Sequence, residues 1–399
     1  MTALQSTQRR MMTIMASVTA TAVVLVGMLG LAGINALRGY EGATKVEQQL
    51  VELAPTTVAM LATVDELDDL TTVTVFVLTP EVEGRIGGSI VSVPISCDTT
   101  FAIGDTRVPL AEVYDTAGAE ALAEAVEGVL SLTLDVWEVA NAPAAAVVLA
   151  PVGSVPVDLP NDVRTTIDGD AEVLHPRGPA DLSVSEFVDV LNSEVDGEPE
   201  LNRRATVETL WSALAASIGE GTGQVMPEAA VNSVADAFAR LVAGPVAARG
   251  VATTPMPEAL NREGDDVTLI DRVDAVLVFA SIAPNSTSAP APGLVYRIEA
   301  PPGYDERVRY AISVLLYFSE NVQSVYISSS VPVSQASVLE LYDSKSKDRA
   351  EDASVVFGET AYAEPAVKIA GVDVVLRLGL DFLTSTEASP PTTPAPEST

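Results

Sequence analysis

One uncharged stretch limits what this chain can become before any domain is considered. Residues 11 to 37, MMTIMASVTATAVVLVGMLGLAGINAL, contain no charged side chain, with Arg9 and Arg10 before them and Arg38 after. At a helical rise of about 1.5 Å per residue the run reaches about 40 Å, enough to cross a hydrocarbon core of about 30 Å with some tilt. The competing reading is a cleaved signal peptide, whose apolar core runs about 7–15 residues and closes on a small-residue cleavage site. This run is longer and ends weakly on Ile34-Asn35-Ala36, so residues 11–37 read as a transmembrane helix. The head, residues 1–10, carries Arg9 and Arg10 and no acid, whereas Glu41, Glu47 and Glu52 follow on the far side. The positive-inside rule then puts the N-terminus in the cytoplasm and the bulk outside the plasma membrane, as a single-pass protein.

Beyond that run, 48% of the 399 residues being hydrophobic leaves room for two domains with real cores. The 55 acidic and 22 basic side chains give a formal charge of -33, which excludes nucleic acid as a partner, because phosphate neutralisation needs clustered Lys and Arg. Cys97 and His175 are each the single residue of their kind. That rules out a disulfide framework and a His/Cys zinc site, and any metal would be a hard cation on carboxylates. Gly84, Gly87 and Gly88, in GRIGG, match neither a dinucleotide fingerprint nor a Walker sequence and read as a hairpin turn, so no cofactor is indicated.

Helical and strand periodicities alternate along the rest. Residues 38–57 suit a short helical stalk. Residues 73–78 (VTVFVL), stopped by Thr79-Pro80, are a β-branched and aromatic run that fits a buried strand, with residues 89–94 returning beside it. Residues 110–130 read as a helix and 132–140 as a strand, with Trp137, like Trp211, in the core. Residues 147–160 close on a Pro-bounded strand; 184–191, 206–218 and 235–241 read as helices, and 267–270 and 275–282 as strands. Asp265, Asp266, Asp271 and Asp274 lack the spacing of a calcium loop and read as a solvated edge. A Pro/Ser/Ala linker at 284–293 separates a first domain, 58–283, from a second, 294–382, and a Pro/Thr/Ser-rich tail, 383–399, suits disorder. The fold class is α/β: an α-β-α layered first domain followed by a small α/β sandwich.

The order of these segments resembles the LytR-CpsA-Psr (LCP) family, extracytoplasmic proteins of Gram-positive bacteria. The likeness is carried by the anchor, the strand ending at Pro80, GRIGGSIVSVP, YDTAGAEALAEAVEGVL, LSLTLDVWEVAN, GSVPVDLP and HPRGPADLSVSEFVDVLN, within residues 65–220. The last strand, VDVVLRLGLDF at 372–382, makes the distal region similar to a LytR-type C-terminal domain. The resemblance implies an enzyme that transfers a polyprenyl-pyrophosphate-linked glycopolymer to peptidoglycan, with arginines on the pyrophosphate and aspartates holding Mg2+. Phosphoryl transfer asks for such groups because its transition state offers the protein little beyond charge to stabilise.

Most of those groups are replaced. Where the family begins its first strand with arginine-serine-aspartate-threonine, this chain has Asp69-Leu70-Thr71-Thr72. Where the family has proline-arginine-aspartate-threonine, Pro94 is followed by Ile95 and Ser96, and Asp98-Thr99 is recovered only after two extra residues. A tyrosine-valine-arginine run becomes Val190-Leu191-Asn192, and an asparagine-glycine turn becomes Glu299-Ala300-Pro301-Pro302-Gly303. Asp98 survives as the candidate catalytic or metal-binding carboxylate, with a turn residue as its plain alternative. Arg203 and Arg204 survive as candidate anion binders, with surface ion pairing as theirs. Asp135 and its strand-end position read as structural.

Each lost charge-assisted contact removes about 1.5–3 kcal/mol. The expected function is therefore a membrane-anchored cell-envelope protein, catalytically degenerate, serving as a binding or accessory module in cell-wall glycopolymer assembly. Its expected partners are the membrane, a polyprenyl-linked lipid or cell-wall polymer, and envelope proteins. One alternative is an active phosphotransferase using Asp98, Arg203, Arg204 and Mg2+; another is a structural envelope protein that binds partner proteins.

Overall fold

A computed structural model describes residues 49–385 apart from 81–85, 101–105, 168, 224–229, 262–263, 265, 344–345 and 366. The apolar run, the head, the stalk as far as residue 48, Gly84, Asp265 and the tail from residue 386 lie outside the described residues. Among the described residues no helix is long and apolar enough to cross a membrane.

The first domain is built on a five-stranded sheet: β1 (Thr57–Val64), β2 (Leu70–Pro80), β3 (Ile86–Val93), β4 (Val136–Asn141) and β5 (Val246–Gly250), in the order β5-β3-β2-β1-β4. The pairs β1/β2 and β2/β3 are antiparallel, while β4 and β5 join the two sides in parallel. β2 is apolar on both faces, and its alternation sorts the core into two halves. Phe76 and Leu78 enter a core under α2 (Ala142–Leu149), α3 (Val184–Asn192), α4 (Leu201–Ile218) and α5 (Val234–Leu241). Val73, Val75 and Val77 enter the opposite one, under α1 (Leu110–Leu130) and α6 (Arg272–Ile282). Helices on both faces of one sheet make the layered mixed α/β architecture.

Trp211 lies in the first half-core, 1% exposed, edge-on to Phe76 and Phe187 at centroid distances of 6.1 and 5.4 Å. Trp137 does not share that burial. It sits on β4, an edge strand with β1 on one side only, and is 42% exposed. Gly87 and Gly88 also differ from expectation: they lie within β3, not in the turn. A Cβ on Gly87 would strike the Pro245 carbonyl, and the Gly88 amide donates to that carbonyl at 3.0 Å. The glycine pair thus lets the Gly244-Pro245 backbone come close enough to start β5, a strand the sequence did not reveal.

Two segments take another secondary structure than expected. Residues 275–282 are part of α6, a helix, because the Asp271 carboxylate caps it, accepting from the Val273 and Asp274 amides at 2.9 and 3.0 Å. The 147–160 segment closes on its strand as expected, Val155–Leu159, while its start completes α2, capped by Asn141. The end of the stalk is a short strand, Gln49–Val51, and the Val51 carbonyl accepts from the Ala370 amide.

The second sheet comprises β6 (Val295–Ala300), β7 (Asn321–Ile327), β8 (Ser337–Leu341), β9 (Thr360–Ala363) and β10 (Val374–Arg377), in the order β7-β6-β10-β8-β9. Tyr296, Ile298 and Ala300 face a core shared with α7 (Asp305–Tyr317), while Arg297 and Glu299 face the other way. Helix α6 joins the two cores: Val278 and Phe279 belong to the first domain's core and Ala280 to the second's.

Candidate functional site

A cleft of about 940 Å³ opens where the end of β3, the start of α1, the 193–200 loop and the start of α4 meet. Its lining includes eight acids, Glu112, Asp115, Asp162, Glu194, Asp196, Glu198, Glu200 and Asp266, and two arginines, Arg164 and Arg203.

Neither arginine is free. Arg164 pairs with Glu198. Arg203 donates to the backbone carbonyls of Leu191 and Ser193 at 3.1 and 3.0 Å and to that of Thr71. It braces the C-terminal end of α3, whose last carbonyls have no intrahelical partner, against the start of β2. Thr71 adds a second tie, its hydroxyl donating to the Asn192 side-chain oxygen at 2.9 Å. The two positions at which the family resemblance asks for a metal-binding acid and an arginine are thus spliced to each other.

Two adjacent backbone amides, of Ile95 and Ser96, point from the end of β3 in the manner of an anion-binding nest. Their occupant is the chain's own Glu200, whose two carboxylate oxygens accept from them at 3.0 and 2.9 Å. Glu200 is in turn fixed through its amide, which donates to Asp266 at 2.7 Å. Unpaired acids crowd the same rim. Burial, with Asp65, Asp69 and Asp196 nearby and only partly offset by Arg203, holds the Glu194 carboxyl above its ordinary range. Burial and the charges of Asp69, Glu112 and Asp68 do the same to Asp115.

Asp98 does not line this cleft. Its carboxylate is buried against Arg107 at 3.0 Å, with side-chain exposures of 2% for the acid and 8% for the arginine, and it also accepts from the Thr100 amide at 3.1 Å. Mg2+ does not fit there, because a guanidinium already holds the position a cation would take. Among the described residues no group of three or more His, Cys, Asp or Glu side chains is arranged to hold a metal ion. Cys97, next in sequence, is buried, and burial pushes its thiol up to about 12, which removes it as a nucleophile. Arg204 faces elsewhere: it pairs with Glu208 at 3.1 Å and donates to the Val251 carbonyl and the Thr253 hydroxyl. The structure thus brings Arg203 to the cleft and places Asp98 and Arg204 outside it.

Arg107 and Glu200 are the residues the sequence reading passed over. Arg107 carried one signal, an isolated arginine nine residues after Asp98 in a chain poor in bases. Glu200 carried none, since it stands among other acids in a loop.

No family model and no curated protein matches the chain. Solved structures to which it is similar include the Lin1025 protein from Listeria innocua, at 14% identity and a TM-score of 0.34 over 56% of this chain and 96% of that one. TagV from B. subtilis matches at 13% identity and 0.38, over 57% and 95% of the two chains. TagT bound to LIIa-WTA matches at 13% and 0.39, over 56% and 88%. Likenesses this distant do not bear on activity.

Proposed function

We propose that this protein is a catalytically silent, LCP-like module of the cell envelope, held at the plasma membrane by residues 11–37 with its N-terminus inside. It serves cell-wall glycopolymer assembly by binding. One observation carries this reading: the backbone anion nest beside the cleft is filled by Glu200, and each arginine lining the cleft is committed to a protein acceptor. A pyrophosphate entering would meet unpaired carboxylates in place of the cations that its transfer requires. The ordered segments of residues 65–220 support the family reading, and the acid-lined cleft suits a neutral or cationic part of an envelope polymer.

The test incubates the full chain, reconstituted in lipid nanodiscs, with Mg2+ and a polyprenyl pyrophosphate, and follows phosphate release. No release above the uncatalysed rate is expected. Sustained turnover would establish the transferase alternative instead.

A further inference from the structure

A second recess, of about 630 Å³, lies where α6 and α7 meet the ends of α1 and β7. Leu130, Val276, Phe279, Leu316, Tyr317 and Val322 give it an apolar wall, edged by the hydroxyls of Ser131, Thr287 and Ser313. Tyr317 stands 61% exposed at its edge. Its one lining acid, Glu320, is already held, by Arg349 at 2.9 Å and by the Leu294 amide.

Its one lining base is not held. Arg272 has no hydrogen-bonding or ionic partner among the described residues. The acids nearest to it in sequence, Asp271 and Asp274, are both engaged by Arg309, and Asp271 also caps α6. Arg272 is itself the first residue of that helix.

We propose that this groove binds an anionic amphiphile: one alkyl or acyl chain lies along Val276, Phe279 and Leu316, and its carboxylate or phosphate-monoester head meets Arg272. The charge complement decides against a neutral apolar occupant, and the single guanidinium against a polyanion. The site is separate from the acid-lined cleft and stands or falls independently of the function proposed for it.

The test uses the full chain in nanodiscs of zwitterionic lipid and a diazirine-bearing dodecanoate as photoprobe, with adducts mapped by mass spectrometry. Adducts are expected on residues 273–279 and 313–322, competed by dodecyl phosphate and not by dodecanol or inorganic phosphate. Arg272→Glu should lower labelling by about tenfold, and Arg272→Lys should retain most of it. Arg272 has no partner to lose, so both variants are expected to keep the wild-type melting temperature, which a thermal melt checks. Labelling outside the groove, indifference to Arg272→Glu, or equal competition by dodecanol would overturn the proposal.

Discussion

The two recesses treat arginine in opposite ways. In the acid-lined cleft, Arg164 and Arg203 are drawn into protein contacts, Arg203 against three backbone carbonyls, and beside that cleft Arg107 is locked to Asp98. In the apolar groove, Arg272 is left alone while neighbouring Asp271 and Asp274 are satisfied by Arg309. The difference shows that abundance of acid does not by itself settle how each arginine is partnered. What matters is which charges the fold has already used: the cleft's guanidiniums hold secondary structure together, and the groove's one guanidinium is at liberty to meet a ligand.

If that contrast is right, substitutions rank by how firmly each charge is used. Asp98→Ala leaves Arg107 buried without its counter-ion and should cost about 3–5 kcal/mol in denaturant unfolding, whereas the double change Asp98→Asn, Arg107→Met should recover most of it. Full loss in the double variant would show the pair to be more than a structural tie. Arg203→Met frees three backbone carbonyls at the join of α3 and β2 and should cost about 1–3 kcal/mol, read by the same measurement. A smaller effect, of opposite sign, is expected at the cleft rim. Glu194 has its carboxyl raised in the folded state, so its ionisation opposes folding: stability is greatest below the ordinary carboxyl range and falls as pH rises through the folded value. Glu194→Gln should therefore raise the melting temperature at neutral pH and lose that advantage in acid; a fall at neutral pH would contradict the assignment. Arg272→Ser should leave the melting temperature where it was, since nothing in the fold depends on it.

The residues that were legible in the sequence are those governed by local pattern. The buried strand around VTVFVL and the helical residues 110–130 follow from periodicity alone and are where it puts them, except that Gly118, at φ 81°, kinks the helix. What was not legible depended on partners distant in the chain. Residues 275–282 are β-branched enough to read as strand, and only the Asp271 cap decides for helix. β5 is a five-residue edge strand whose place is set by two glycines of β3 more than 150 residues earlier. Trp137 alternates like a core residue, but its strand is at the edge of the sheet. The cleft was hidden for the same reason: that Arg203 is used up and that Glu200 fills the nest are tertiary facts, with separations of 132 residues to Thr71 and 105 to Ile95.

The most direct test of the central claim, that the chain's own carboxylate occupies the anion position, is calorimetric titration of the full chain with inorganic pyrophosphate, with and without Mg2+, alongside Glu200→Ala. The wild type should show no saturable binding, and the variant, with the Ile95 and Ser96 amides uncovered, should gain weak binding. Saturable binding to the wild type that Glu200→Ala leaves unchanged would contradict it.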